Sequence, residues 1–255
     1  MLDVMRRTAA IVAEANLGAP LSRPDPVDSR RRMAIERRWW NEDLPDLPQV
    51  VDTTFPGPGG KISVRVLYPK TARPLPVIVY YHGGGWVVGT LDTHHRAMRF
   101  LALKSGCAVV AVDYSLAPEH PYPAPLDDCV AAVRHIQGNG AAMGLDAGAI
   151  AVGGDSAGAN LAMATTLRMR DEGNSPIKAV LSFYGAFEAA CETASFAEFG
   201  NGAFGLSQDG MRWYWRAYAG PLSDLTDPLL SCARADLKGL PPTHLFVAEL
   251  DVLRD

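Results

Sequence analysis

The sequence has few cysteines, no long apolar run and no excess of basic residues, and each shortage excludes a class of protein. Its four cysteines, Cys107, Cys129, Cys191 and Cys232, form no Cys-x-x-Cys pair and no His/Cys metal spacing, which predicts a reducing, cytoplasmic setting. Cys107 begins an apolar strand and Cys129 lies in a helical pattern, so we expect both to be small buried hydrophobic residues. No stretch reaches the roughly 18 apolar residues that a membrane span needs. A formal net charge of −4 argues against a nucleic-acid partner, which would require an excess of Lys and Arg.

One stretch contains a candidate nucleophile. Gly153-Gly154-Asp155-Ser156-Ala157-Gly158 lies between a short apolar run, 149–152, and a segment of helical character, 161–167. This order predicts a strand, a tight turn and a helix, with Ser156 at the apex of the turn. Gly154 and Gly158 suit a turn that brings the two backbones close together, and a helix N-terminus favours developing negative charge. The pattern Gly-x-Ser-x-Gly also occurs by chance, so the prediction depends on partner residues elsewhere.

Two further stretches could supply those partners. His82-Gly83-Gly84-Gly85-Trp86 follows the apolar run 77–81, and a glycine loop with unobstructed N–H groups is typical of an oxyanion hole. A flexible linker is the alternative, and it fits poorly between a strand and a bulky Trp-Val-Val run. Asp251 ends the apolar run 243–250, where we expect the carboxylate of a Ser-Asp-His triad; a solvated loop aspartate is the alternative.

The chain is long enough for one α/β domain with a cap. Residues 1–45 contain two helical patterns separated by a Pro-rich connection, and we expect the run Arg30-Arg31-Arg32 to form a solvated helix face. From residue 46 a β-hairpin and then alternating strands and helices predict a mostly parallel central sheet flanked by helices. The aromatic-rich stretch 186–225 breaks this alternation and predicts a second cap segment, although an aromatic peripheral helix is the alternative.

Together these stretches resemble the hormone-sensitive-lipase-like carboxylesterases, in particular the bacterial members. The matching pieces run through most of the chain in the family's order: His82 to Trp86, Asp113-Tyr114-Ser115-Leu116-Ala117-Pro118-Glu119-His120-Pro121, Gly154 to Asn160, and Asp251-Val252-Leu253-Arg254-Asp255. The resemblance implies an α/β-hydrolase fold with a helical cap, and hydrolysis of small or medium acyl esters without a metal or other cofactor. A homodimer is left open.

The resemblance also implies roles for individual residues. Ser156 would be the nucleophile and Asp251 the triad acid. The N–H groups of Gly83, Gly84 and Ala157 would form the oxyanion hole, while His82 would shape the loop rather than act as the base.

The triad histidine departs from the family pattern. The family places it roughly thirty residues after the acid, whereas all six histidines of this sequence precede Asp251. His244 is a poor substitute, because it begins the strand at whose far end Asp251 lies, roughly 20 Å away along an extended chain. The apolar run 243–250 would also be left as an unpaired edge strand. We therefore expect a truncated or partial family member, without the last strand and helix of the core.

Three hypotheses follow for the function. The first is a carboxylesterase that acts through Ser156 and an acyl-enzyme, with its base encoded beyond residue 255. The second is a ligand-binding pseudoenzyme, since the plant gibberellin receptors resemble this family and lack a working triad histidine. The third is a non-functional truncated product.

Overall fold

The computed structural model describes residues 3–14, 25–221 and 224–255. The strands are β1 (Gln49–Gly57), β2 (Gly60–Tyr68), β3 (Leu75–Tyr81), β4 (Ala108–Asp113), β5 (Leu145–Asp155), β6 (Ile177–Phe183) and β7 (Thr243–Phe246). The helices are α1 (Asp3–Glu14), α2 (Pro26–Arg38), α3 (His95–Ser105), α4 (Ala124–Asn139), α5 (Ala157–Asp171), α6 (Ala194–Phe199) and α7 (Gln208–Ala219). Short 3₁₀ turns occupy Trp39–Asn41, Gly140–Met143 and Cys232–Arg234.

The strands form one sheet in the order β1-β2-β4-β3-β5-β6-β7. β1 and β2 are the predicted antiparallel hairpin, and β2 pairs antiparallel with β4. The remaining strands are parallel. The mostly parallel sheet predicted from the alternation of strands and helices is therefore confirmed.

The central strands are buried on both faces because helices cover both. Val77, Val79 and Tyr81 of β3 belong to the apolar cluster that includes residues of α4 and α5. Ile78 and Tyr80 alternate with them and pack with Met98 and Ala102 of α3 on the opposite face. Successive side chains of a strand point to opposite faces, so a strand covered on both sides has a continuous apolar sequence. This arrangement makes three layers, with the sheet in the middle.

The last strand is shorter than predicted. Its observed range ends at Phe246, whereas the apolar run suggested pairing through Leu250. In the part of the chain that the structure describes, its single neighbour is β6, with Phe183 opposite Phe246 as the final pair. The N–H of Tyr184 donates to the Phe246 carbonyl at 2.6 Å, and beyond this point β6 offers no further backbone to pair with. Apolar composition alone therefore overestimated the strand.

The two segments predicted to form a cap meet in space where the structure describes them. Met33 of α2 packs with Trp213 and Tyr214 of α7 around Val87 and Val88. Residues 1–2, 15–24 and 222–223 of these segments lie outside the described residues. Within the described chain, none of the helices has the length and apolar composition required to cross a bilayer.

Candidate active site

Ser156 occupies the turn between β5 and α5 with a strained backbone. Its φ of 53° and ψ of −119° lie in a region that non-glycine residues rarely adopt. Its N–H donates to the Phe183 carbonyl at 2.8 Å, which ties the turn to the end of β6. A Cβ on Gly158 would lie 1.9 Å from the carbonyl oxygen of Tyr81. The helix therefore starts in direct contact with β3, and only glycine fits there.

A cavity of about 570 Å³ opens above Ser156. The core contributes Gly84, Gly85, Val88, His94, Asp155, Ser156 and Tyr184 to its lining. The opposite side is formed by α2, α7 and the loop before α7: Ser29, Arg32, Met33, Glu36, Arg37, Gly205, Leu206, Met211 and Tyr214. The volume falls within the usual range for small-molecule sites. Ser156 is therefore accessible to a ligand enclosed between the core and the helices α2 and α7.

The glycine loop after β3 forms one wall of this cavity. Gly84 and Gly85 have φ of +125° and +57°. A Cβ on Gly85 would lie 2.1 Å from the ring of Tyr214, so α7 packs directly against the bare backbone. Within the described residues, the N–H groups of Gly84 and Gly85 have no hydrogen-bond acceptor. They are available to a ligand beside Ser156.

Gly83 differs from its two neighbours. Its N–H donates to Asp155 Oδ1 at 2.9 Å, and Gly83 is not among the described residues that line the cavity. A donor already held by a carboxylate is a poor donor for a developing oxyanion. This hydrogen bond argues against the oxyanion role that the resemblance implied for Gly83 and favours Gly84 and Gly85.

Asp155 is a buried carboxylate that joins the glycine loop to the serine turn. It is 7% exposed, and besides the Gly83 N–H it accepts hydrogen bonds from the hydroxyls of Tyr80 at 2.7 Å and Tyr184 at 3.4 Å. His94 Nε2 lies 3.5 Å from Oδ2. Burial alone would raise the pKa of Asp155, but His94, Tyr80 and the Gly83 N–H together hold it well below its usual value. The carboxylate is therefore ionised inside the protein.

Two histidines lie beside Asp155, and within the described residues the contacts of their ring nitrogens are with groups other than Ser156. His94 lines the cavity, but Nε2 faces Asp155 and Nδ1 lies 2.9 Å from Thr93 Oγ1. The His82 ring stacks on Tyr114 with 4.5 Å between centroids, and its Nδ1 lies 2.8 Å from the Gly83 carbonyl oxygen. Burial lowers the pKa of His82 to about 4. A neutral, enclosed His82 agrees with a residue that shapes the loop.

Asp251 lies outside the cavity lining of the described chain. Its Oδ1 accepts the N–H of Leu253 at 2.9 Å. Burial, Asp155 and Asp251 all raise the pKa of Tyr184, a residue that lines the cavity. His244 is exposed on the edge strand β7, opposite Leu181. The structure thus brings Ser156, Gly84 and Ala157 together and leaves His244 apart from them.

Comparison with known proteins agrees with this geometry. A family model described as an alpha/beta hydrolase fold matches residues 78–255. Esterase LipI of Mycobacterium tuberculosis is 41% identical over 224 residues, which are 84% of this chain and 69% of that protein. Carboxylesterase NlhH of the same species is 43% identical over 200 residues, and these cover 76% of this chain but only 62% of that protein. A hyperthermophilic esterase from Pyrobaculum calidifontis superposes with a TM-score of 0.87 at 39% identity, covering 90% of this chain and 76% of that one.

This chain belongs to the hormone-sensitive-lipase-like esterase family of α/β hydrolases. The family and the fold expected from the glycine loop, the serine turn and the Asp113–Pro121 segment are therefore confirmed. The matched part of the chain spans 69% of LipI, 62% of NlhH and 79% of an acetyl esterase from Salmonella schwarzengrund, so it covers less than two thirds of one of these relatives.

The sequence did not reveal the hydrogen-bonded group that supports the serine turn, which consists of Asp155, His94 and Tyr184. In the sequence, Asp155 stands out only as one residue of the serine motif, although a carboxylate directly after a buried strand needs hydrogen-bond donors around it. His94 and Tyr184 gave no local signal, because they meet Asp155 only after β3, β5 and β6 are side by side. All three line the cavity of this esterase-family chain.

Proposed function

We propose that this chain is a carboxylic ester hydrolase whose nucleophile is Ser156. The observation that carries the proposal is the position of Ser156 at a strained strand–helix turn, in one cavity with Gly84 and Gly85, whose N–H groups have no acceptor among the described residues. The names of the relatives, which are esterases and a carboxylesterase, support the same reaction. A small-molecule ester with a small or medium acyl group is the proposed substrate.

The reaction would proceed in two steps. Ser156 Oγ attacks the ester carbonyl carbon, the hydroxyl proton passes to a base, and the alcohol leaves with a proton, so that an acyl-serine remains. Water then attacks the acyl-serine and releases the carboxylic acid. The negative charge on the carbonyl oxygen in both steps would be stabilised by the N–H groups of Gly84, Gly85 and Ala157, the last at the N-terminus of α5. Gly85 here replaces Gly83 of the sequence-based prediction.

The helices α2 and α7 would act as the cap of this site. Residues 1–45 and 186–225 would cover a core of residues 46–255, since side chains from α2 and α7 line the cavity opposite Ser156. The polar residues Glu36 and Arg37 on α2, and the apolar residues Met211 on α7 and Leu206 just before it, would then select the substrate. Asp251 remains the proposed triad acid.

Among the described residues, we find no histidine positioned to act as the general base of the triad. Both ring nitrogens of His94 face other side chains, and His244 lies on the edge strand. This observation favours a second function, in which the chain binds an ester-like ligand in the same cavity without turnover. The two functions differ in whether Ser156 reacts once a base is supplied.

The test supplies imidazole to the purified chain and measures hydrolysis of p-nitrophenyl acetate. Without imidazole we expect the same rate for the chain and for its Ser156→Ala variant. With imidazole we expect the chain to exceed Ser156→Ala, since a general base typically contributes about 10²–10⁴-fold. The variant also corrects for the reaction of imidazole with the ester in solution. Ser29→Ala, which removes another hydroxyl from the cavity lining, should behave like the unmodified chain.

Each other outcome has a definite meaning. If imidazole produces no Ser156-dependent hydrolysis and an alkyl fluorophosphonate leaves Ser156 unlabelled, the esterase proposal is wrong and ligand binding is favoured. Ser156-dependent turnover without imidazole would show that the chain itself provides a general base. The His94→Gln variant would then show whether that base is His94.

A further inference from the structure

Arg30 on α2 is bound to two loops of the core at once. Its Nε donates to the Val87 carbonyl at 2.8 Å and its Nη2 donates to the Ala117 carbonyl at 3.0 Å. The same guanidinium holds Glu119 through both carboxylate oxygens, with Nη1 to Oε1 at 2.8 Å and Nη2 to Oε2 at 2.6 Å. A single side chain of the proposed cap therefore makes four hydrogen bonds to the core. This contradicts the solvated helix face expected for residues 30–32, as far as Arg30 is concerned.

The first of these bonds reaches the turn that carries the glycine loop. The N–H groups of Val87 and Val88 donate to the Gly84 carbonyl at 3.1 and 2.9 Å. The peptide group between Val87 and Val88 is thus held on both sides, since its N–H donates to the Gly84 carbonyl and its carbonyl accepts from Arg30. The N–H of Ala117 donates to the Trp86 carbonyl at 2.9 Å, so the second loop supports the same turn.

The turn needs this external support because its backbone is strained. Trp86 has φ of 60°, which is unfavourable for a bulky side chain. Its indole is fully buried and stacks on Tyr218 with 4.4 Å between centroids. The turn is therefore fixed by the buried ring on one side and by Arg30 on the other.

From these contacts we infer that Arg30 is a positioning residue for the oxyanion loop. It holds the Gly84–Val88 turn so that the N–H groups of Gly84 and Gly85 face Ser156, and it makes this geometry depend on α2 being docked. The inference rests on the proposed function for its catalytic meaning, but the clamp itself can be tested without turnover. Arg30 does not line the cavity and acts only through the turn.

A simpler role is that Arg30 merely anchors α2 to the core through Glu119. Two substitutions separate the roles. Glu119→Gln weakens the ion pair and leaves the bonds to the Val87 and Ala117 carbonyls in place. Arg30→Lys keeps the positive charge near Glu119, but one ammonium cannot reproduce the planar fork that reaches both carbonyls.

Hydrogen exchange of the backbone amides is the first readout. In Arg30→Met and Arg30→Lys we expect the Val87 and Val88 amides to exchange at least about tenfold faster, because a hydrogen bond from a charged donor is among the stronger ones that hold a turn. Arg31→Met is the matched control, since Arg31 follows on the same helix and its ion pair is with Asp28. Arg31→Met and Glu119→Gln should stay within about twofold of the unmodified chain.

The second readout is the labelling of Ser156 by an alkyl fluorophosphonate in the presence of imidazole. The maximal labelling rate in Arg30→Met should fall about 10-fold to 100-fold, somewhat less than the loss of a whole oxyanion donor, while the half-saturating reagent concentration stays within about twofold. Arg30→Lys should behave like Arg30→Met, and Glu119→Gln like the unmodified chain.

The outcomes separate the clamp from the esterase proposal. If Glu119→Gln matches Arg30→Met in exchange and labelling, Arg30 is only an anchor and the inference is overturned; unchanged Val87 and Val88 exchange in Arg30→Lys overturns it too. If the fluorophosphonate labels Ser156 neither in the unmodified chain nor in any variant, the esterase proposal fails. The exchange data then still show whether Arg30 holds the Gly84–Val88 turn. Should Arg30→Met not fold, Arg30→Lys carries both comparisons.

Discussion

Removal of the Asp155 carboxylate should destabilise the protein far more than removal of a surface carboxylate. Asp155→Ala leaves the Gly83 N–H and the Tyr80 hydroxyl without an acceptor, and it leaves His94 without a carboxylate partner. Leaving a buried donor without an acceptor typically costs about 1–3 kcal/mol, and two such donors are left here. We therefore expect the free energy of unfolding to fall by about 4 kcal/mol, which for a chain of this size lowers Tm by roughly 8–16 °C.

Asp155→Asn should have an intermediate effect. The amide oxygen can replace Oδ1 and keep the hydrogen bonds from Tyr80 and Gly83, while its NH₂ group faces His94 and Tyr184 in place of Oδ2. The loss is then mainly that of the charge, for which we expect about 2 kcal/mol. Asp171→Ala is the control, because the Asp171 side chain is 62% exposed and its ion-pair partner among the described residues is the adjacent Arg170; we expect a change below about 1 kcal/mol.

The assay is urea unfolding at constant temperature between pH 3 and pH 7. The folded-state pKa of Asp155 is lowered, so its contribution is fully present above the unfolded-state pKa of about 3.9 and is lost as the pH falls towards the folded-state pKa. The gap between the unmodified chain and Asp155→Ala should be constant from pH 5 to pH 7 and should shrink below about pH 4. If Asp155→Ala costs no more than Asp171→Ala, or the gap widens as the pH falls, the reasoning about this carboxylate is wrong.

Two further predictions concern the backbone at the serine turn and the edge of the sheet. Gly158→Ala should destabilise the chain by more than about 2 kcal/mol in thermal unfolding, since its Cβ would lie 1.9 Å from the Tyr81 carbonyl oxygen, while Gly59→Ala, with no atom within 4 Å, should be neutral. Leu245→Lys should slow aggregation measured by light scattering with a stability change within about 0.5 kcal/mol, because this side chain is 59% exposed on the edge strand. Val27→Lys, at a 69% exposed site on α2, should leave the aggregation rate unchanged. If Leu245→Lys and Val27→Lys change the rate equally, the edge strand β7 is not the site at which aggregation starts.

The sequence predicted those parts of the fold that depend on short-range patterns. The continuous apolar runs of β3, β4 and β5 reflect burial on both faces, and the glycines around Ser156 reflect a close approach of two backbones. These features are visible within a few residues. The length of β7 could not be predicted in this way, because it depends on where β6 ends.

The position of Ser156 at a strand–helix turn was predictable from the sequence, but the residues that support this turn were not. Gly83 and Gly84 are equivalent in sequence, and only the position of Asp155 separates a committed N–H from a free one. Arg30 lies in a run of three arginines that suggests a solvated surface, and its partners Val87 and Ala117 are 57 and 87 residues away. Long-range hydrogen bonds of this kind leave no trace in local composition.

The shared carboxylate between the glycine loop and the serine turn has a consequence for thermal motion. Gly83 and the residue just before Ser156 are joined through one rigid group, so a displacement of either segment carries the other with it. In the proposed reaction, the geometry depends on the position of Ser156 relative to the oxyanion donors rather than on where both lie in the molecule. Fluctuations in which the glycine loop and the serine turn move together can therefore be tolerated, whereas a small independent shift of one of the two segments cannot.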